Sequence, residues 1–133
     1  MRVVFDTNVI VAGIVAEGLC REIVQDHLPD HTPILSAWLW DELTEKLRTK
    51  FDLNLDDLPI LDLYRRLAVW VEPTKLMSPV SRDTDDDWVL ATAVAGEAEA
   101  IVTGDDDLLI LRRYRDVRIL SSRKFLENLN RRA

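Results

Sequence analysis

Acidic residues gather at three places along this 133-residue chain where they could do chemistry. Asp6 ends the opening apolar run Val3–Phe5. Asp83, Asp85, Asp86 and Asp87 crowd the start of one helical segment, and Asp105, Asp106 and Asp107 follow the apolar run Ala100–Thr103. Glu42 stands apart, less than two turns into another helical segment. Carboxylates brought together repel and raise one another's pKa values unless a cation joins them. Oxygen-rich sets without cysteine or histidine suit Mg²⁺ or Mn²⁺, and Mg²⁺ so held takes phosphate oxygens among its remaining ligands. Two such ions about 4 Å apart activate water and stabilise the leaving oxygen of a phosphodiester. Residue type and spacing therefore point to a divalent-cation domain with phosphotransfer or nuclease chemistry.

Simpler readings stand beside this one. Asp83 or Thr84 can cap a helix, with Asp85, Asp86 and Asp87 favouring its positive end. Asp105–Asp107 can be an ordinary acidic turn, and Glu42 one helical glutamate among many. Asp87 is placed inward because it shares a helical face with Leu90, Ala91 and Val94. A helix that begins one residue earlier would put Asp86 there instead.

The elements that must position these groups read as an alternation. Short apolar strands are expected at Val3–Phe5, Pro33–Leu35, Ala100–Thr103 and Val117–Leu120, with Val69–Val71 as a fifth candidate. An apolar segment covers Val9–Val15, and helices are expected at Leu19–Leu28, Ser36–Lys50, Leu55–Trp70, Thr84–Glu97 and Ser121–Asn130. Lys75–Arg82 reads as a loop, Asp105–Leu111 as a turn or short helix, and Gly104 as a tight exit from its strand. Strands without period-2 alternation predict a parallel sheet covered on both faces, so the fold class is a single α/β domain, residues 1–133, with four to five short strands flanked by helices. In such a sheet ligands bind beyond the carboxyl ends of the strands, where Asp6 and Asp105 would converge if their strands are neighbours.

Composition bounds the alternatives. With 47% apolar and 31% charged residues, and only four glycines and five prolines, the chain can build a core and is neither fibrous nor disordered. Its lone cysteine forms no internal disulfide, and two histidines are too few for a histidine-built zinc site. No apolar run approaches a membrane span and the N-terminus is no signal peptide, so the expectation is a soluble cytoplasmic protein without membrane contact. The net charge of −7 hides a polarity: residues 112–133 carry eight basic and two acidic side chains, and the rest of the chain is strongly acidic.

Four segments resemble the PIN-domain family, specifically its prokaryotic toxin–antitoxin (VapC-like) toxin branch. Val3-Val4-Phe5-Asp6-Thr7-Asn8-Val9 resembles its opening strand and DTN motif. Asp87-Trp88-Val89-Leu90-Ala91, followed by Ala93, resembles a D-x-x-x-A-x-A helix start. Ile101-Val102-Thr103-Gly104-Asp105-Asp106-Asp107-Leu108-Leu109 is similar to its V-T-G-D-x-D-L-L segment, and Arg118–Leu126 to its closing strand and helix. The resemblance implies a Mg²⁺- or Mn²⁺-dependent endoribonuclease hydrolysing RNA. Asp6, Glu42, Asp87 and Asp105 would be the catalytic metal ligands and Asp107 a more variable fifth. Thr7, Asn8 and Thr103 would be polar neighbours that orient them. It also implies a homodimer and a cognate antitoxin partner.

Arg112, Arg113 and Arg115, and more weakly Arg82, could bind the RNA backbone near such a site, since an acidic pocket alone repels phosphate. They could equally form a solvated surface or meet an acidic antitoxin. Trp38, Trp40, Trp70 and Trp88 are expected in the core or a dimer interface rather than on RNA bases. Cys20 is expected to be buried or inert, and His27 and His31 to lie at the surface. A phosphohydrolase or receiver-like phosphotransfer domain is the first alternative, but Asp6 is followed by Thr7 and Asn8 rather than completing D-x-D. A non-catalytic PIN-like interaction domain is the second, and the intact acidic set argues against it.

Overall fold

Val3, Val4 and Phe5 are consecutive and all buried, which a strand permits only when both faces of its sheet are covered. In the computed structural model, which describes residues 1–74, 76 and 79–132, they form β1 (Arg2–Phe5). The expected loop Lys75–Arg82 falls partly outside the described residues, at Lys75, Met77 and Ser78. After β1 come α1 (Thr7–Val15), α2 (Leu19–Glu22), β2 (Thr32–Leu35), α3 (Ala37–Thr49), α4 (Pro59–Leu67) and β3 (Val69–Trp70). The second half adds α5 (Thr84–Ala95), β4 (Ala100–Val102), α6 (Asp106–Leu109), β5 (Arg113–Tyr114), β6 (Val117–Leu120) and α7 (Ser122–Arg132).

The strands form one six-stranded sheet in the order β3-β2-β1-β4-β6-β5. All neighbours are parallel except the β5–β6 hairpin. The chain steps outward from β1 to β2 and β3, then returns to β4 on β1's other side. The strand order therefore reverses between β1 and β4, where the loops diverge and leave a crevice. Val3, Val4 and Phe5 pair in register with Ala100, Ile101 and Val102, which sets Asp6 beside Thr103 at the carboxyl edge. α5 packs on β1 and β2, α4 on β2, and α7 on β6. No helix among the described residues is long and apolar enough to cross a membrane.

The five expected strands are all present and run parallel, and Arg113–Tyr114 adds a sixth, antiparallel to β6, that two residues are too short to signal by periodicity. Other expectations change. Leu19–Leu28 is not one regular helix: α2 runs into a π-turn at Ile23–His27 and a 3₁₀ turn at Leu28–Asp30. Likewise, the segment from Leu55 begins as a 3₁₀ turn to Asp57, and Pro59 then opens α4 at its first position. Gly104 takes no left-handed conformation; the one glycine with positive φ among the described residues is Gly18.

The four tryptophans pair within the chain. Trp38 stacks on Trp88 at 6.1 Å, and Trp40 meets Trp70 edge-on at 6.0 Å. Of the four, only Trp70 is largely exposed, at 44%. Cys20 is half-buried, with Sγ 3.4 Å from Ser122 Oγ. Both histidines are half-buried rather than fully at the surface, and His31 packs against the Phe125 ring.

Candidate active site

Asp6 begins α1 without capping it: its backbone carbonyl accepts from Val9, and its side chain makes no cap hydrogen bond. The carboxylate turns instead to Thr103, whose hydroxyl donates to Oδ2 at 2.7 Å. That same hydroxyl accepts from the Asp105 N–H at 3.0 Å. One threonine at the end of β4 thus ties Asp6 of the adjacent strand to the Asp105 loop. Asp105 accepts from the Asp107 N–H through Oδ1, capping α6.

On α5 the acidic register differs from the expected one. Asp83 is the N-cap and accepts from the Asp85 N–H. Asp86 is the buried member, 5% exposed, on the face that also buries Val89, Leu90 and Ala93. It accepts from the Ser81 hydroxyl at 2.9 Å. Carboxylate oxygens of Asp83, Asp86 and Asp105 lie within 4.8 Å of one another. Asp87 does not join them: it accepts from the Ser81 N–H at 2.9 Å and the Val80 N–H at 3.2 Å, and so anchors the loop before α5. The inward position assigned to Asp87 therefore belongs to its neighbour. A helix apolar nearly all round offers no periodic contrast from which to read one residue of rotation.

Glu42 reaches the same edge from α3. Ser36 caps that helix by accepting from the Leu39 N–H, and its hydroxyl also meets Thr92 at 3.0 Å, fastening α3 to α5. Lys46, one turn beyond Glu42, donates to Asn8 Oδ1 at 3.0 Å. Asp107 is turned away to Arg82, with which it pairs at 3.0 Å. Thr7 is 3% exposed, and its hydroxyl has no partner of good hydrogen-bond geometry among the described residues.

The electrostatics follow from burial of like charge. Burial raises the pKa of Asp6 above the ordinary range, helped by Asp105; the Thr103 hydroxyl, the Thr7 N–H and Lys46 oppose it. Burial also raises Glu42, with Asp6 and Asp85 adding to it and the nearby Thr7 hydroxyl and Lys46 opposing. Asp86 is pushed up to about 6 by burial first and then by Asp105, Asp83 and Asp6, against the Ser81 hydrogen bond. Tyr64, fully buried on α4, is driven upward by burial and by Asp6. Lys46, Ser81 and Tyr64 were not singled out from sequence. Only Lys46 left a usable trace, its i+4 spacing from Glu42.

These side chains fit a hard divalent cation. The donors are carboxylate oxygens, their mutual repulsion needs a positive charge, and the buried Thr7 hydroxyl is left with unused capacity beside them. Asp83, Asp86 and Asp105, whose oxygens already lie within 4.8 Å of one another, would hold it, with Asp6 as their charged neighbour.

The arginines divide. Because β5 runs antiparallel to β6, the turn Arg115–Asp116 lies at the amino edge of the parallel strands, opposite the carboxylates. Arg115 there covers the Tyr114 ring at 5.4 Å. It is not near the Asp105 loop in space, although it is near in sequence. Arg112 and Arg113 are exposed along the hairpin.

The likeness of this arrangement to known proteins is specific at the family level. A crystal structure of VapBC2 from Rickettsia felis bound to a DNA fragment from their promoter shares the fold, with a TM-score of 0.58 and 14% identity over 91% of this chain and 98% of that one. No curated protein sequence matches the chain. The sequence profile of the PIN domain matches residues 2–107, a span that includes Asp6, Glu42, Asp83, Asp86, Asp87, Asp105 and Asp107, and the chain therefore belongs to the PIN-domain family.

Proposed function

We propose that the chain is a Mg²⁺- or Mn²⁺-dependent endoribonuclease, one nuclease domain over residues 1–133, and the toxin of a toxin–antitoxin pair acting in the cytoplasm. The observation that carries the nuclease reading is the gathering of Asp83, Asp86 and Asp105, with Asp6 beside them, at the reversal of strand order. There, burial holds Asp6 and Asp86 above the ordinary carboxylate range. A bound divalent cation supplies a water of lowered pKa and charge neutralisation for the phosphate. Asp83, Asp86 and Asp105, with Asp6 beside them, would hold that charge in place, and Glu42 lines the neighbouring side. Thr103 fixes the orientation of Asp6, as outer hydrogen bonds do for metal ligands. The oxygen of water bonds to phosphorus as the bond to the leaving strand's oxygen breaks, the water's proton passes to solvent and the leaving oxygen takes one up, and no covalent enzyme intermediate is needed.

Cleavage of a labelled RNA in Mn²⁺, with Asp6→Asn as control, tests the reading. Activity that persists in the control at the wild-type rate would overturn it. The toxin assignment draws on the shared fold with a VapBC2 complex and on the resemblance of the four sequence segments. It is tested by growth arrest on expression and rescue by a protein encoded next to the gene. A homodimer is the companion proposal, supported by exposed Phe51, Val69 and Trp70. Light scattering that shows a monomer at tens of micromolar would remove it.

A further inference from the structure

Lys46 is placed unlike an ordinary helical lysine. A lysine one turn after a glutamate usually pairs with that glutamate at the surface. Lys46 is half-buried and reaches across to α1, where Nζ donates to Asn8 Oδ1. Among the described residues it forms no ion pair within 4.0 Å. Even so, its charge acts on both Glu42 and Asp6. An ammonium has three donors, so two remain uncommitted beside the crevice.

The site is therefore lopsided. Asp83, Asp86 and Asp105 bring carboxylate oxygens within 4.8 Å of one another, and among the described residues none of the three forms an ion pair within 4.0 Å. The Asp6–Glu42 side already has a cation that acts on both carboxylates, its Nζ hydrogen-bonded at the solvent-exposed edge to Asn8. A second divalent ion on that side would meet the repulsion of the ammonium.

We propose that Lys46 is a catalytic residue: its ammonium takes the cation position on the Asp6–Glu42 side and donates to a non-bridging oxygen of the scissile phosphate. The site then takes one divalent ion rather than two. Asn8 is a positioning residue that aims Lys46. This inference rests on the nuclease reading and adds a substrate contact to it.

Calorimetric titration with Mn²⁺ and RNA cleavage, run on wild type, Lys46→Met, Lys46→Arg and Asp6→Asn, test it together. The wild type should bind one ion. Lys46→Met should bind Mn²⁺ severalfold tighter or take a second ion, because a repelling charge is gone, yet cleave at least 100-fold more slowly at saturating metal. Lys46→Arg should keep wild-type metal binding and recover part of the rate. Two ions in the wild type, or Lys46→Met cleaving at the wild-type rate, would overturn the role of Lys46 while leaving the nuclease reading intact. A wild type no more active than Asp6→Asn would overturn the nuclease reading, and the role of Lys46 with it.

Discussion

Two charged regions of this molecule are built on opposite terms. At the carboxyl edge of the sheet, Asp6 and Asp86 are 7% and 5% exposed and sit among further carboxylates. Along the β5–β6 hairpin, Arg112, Arg113 and Arg115 are exposed, and solvent and salt screen them. Burying like charges costs free energy that spreading them in water does not. The first region therefore implies a cation that offsets the cost. The second is compatible with RNA, with an acidic protein or with solvent alone.

The largest expected effect separates the two regions by activity. Asp6→Asn and Asp105→Asn should each lower metal-dependent cleavage by about 100-fold or more, since even residues that only orient metal ligands cost 10–100-fold. Neither should lower the melting temperature of the metal-free protein, because each removes a repelling charge. Calorimetry showing marked destabilisation of both variants would mean that these carboxylates are structural, and the contrast would collapse.

The contrast sharpens between two sequence neighbours. Asp86→Ala should abolish the rise in melting temperature produced by Mn²⁺. Asp87→Ala should keep that response, yet lose about 1–3 kcal/mol in urea melts by leaving the Val80 and Ser81 N–H groups without their acceptor. The opposite pattern would restore Asp87 as the ligand.

Acidity gives a smaller, signed effect. Asp86, held at about 6, and Asp6 and Glu42, both raised, bind protons more tightly folded than unfolded. For Asp86 the stabilisation is complete below its unfolded value of 3.8 and is lost as pH rises through about 6. The metal-free melting temperature should therefore fall between pH 5 and pH 7.5. Asp86→Asn should flatten this trend, whereas alanine at the hairpin arginines should leave it unchanged. Saturating Mn²⁺ should reverse it, since ligands must be deprotonated to bind metal.

The smallest effects belong to the hairpin. Replacing Arg112 and Arg113 by alanine should reduce the salt dependence of RNA binding by about 0.7 per lost phosphate contact on a single strand. Arg115→Ala, at the other edge of the sheet, should leave that slope unchanged and remove only its contact with Tyr114, about 0.5–1 kcal/mol. A slope that drops equally for Arg115 would place RNA across the amino edge and dissolve the division between the two regions.

Much of the arrangement is legible in the chain itself. Runs such as Val3–Phe5 and Ala100–Val102 are apolar without alternation, so they must be strands covered on both sides, and an acidic residue directly after such a strand must emerge at its carboxyl end. Ser36 and the Leu39, Leu43, Leu47 repeat mark α3 in the same local way, and all three leucines are buried. Periodicity and chain direction alone set those features.

Rotation, pairing and distance are different, because they depend on partners far away in sequence. Whether Asp86 or Asp87 turns inward follows from how α5 settles on β1 and β2, and a helix apolar nearly all round does not encode that angle. Arg115 lies ten residues from Asp105 in the chain, yet an antiparallel edge strand carries it to the opposite edge of the sheet. Lys46 meets Asn8 only because α3 packs on α1. Local sequence determined which residues could carry chemistry and on which edge of the sheet they would emerge. Tertiary packing decided which of them face one another, because contact between side chains depends on helix rotation and strand order rather than on spacing along the chain.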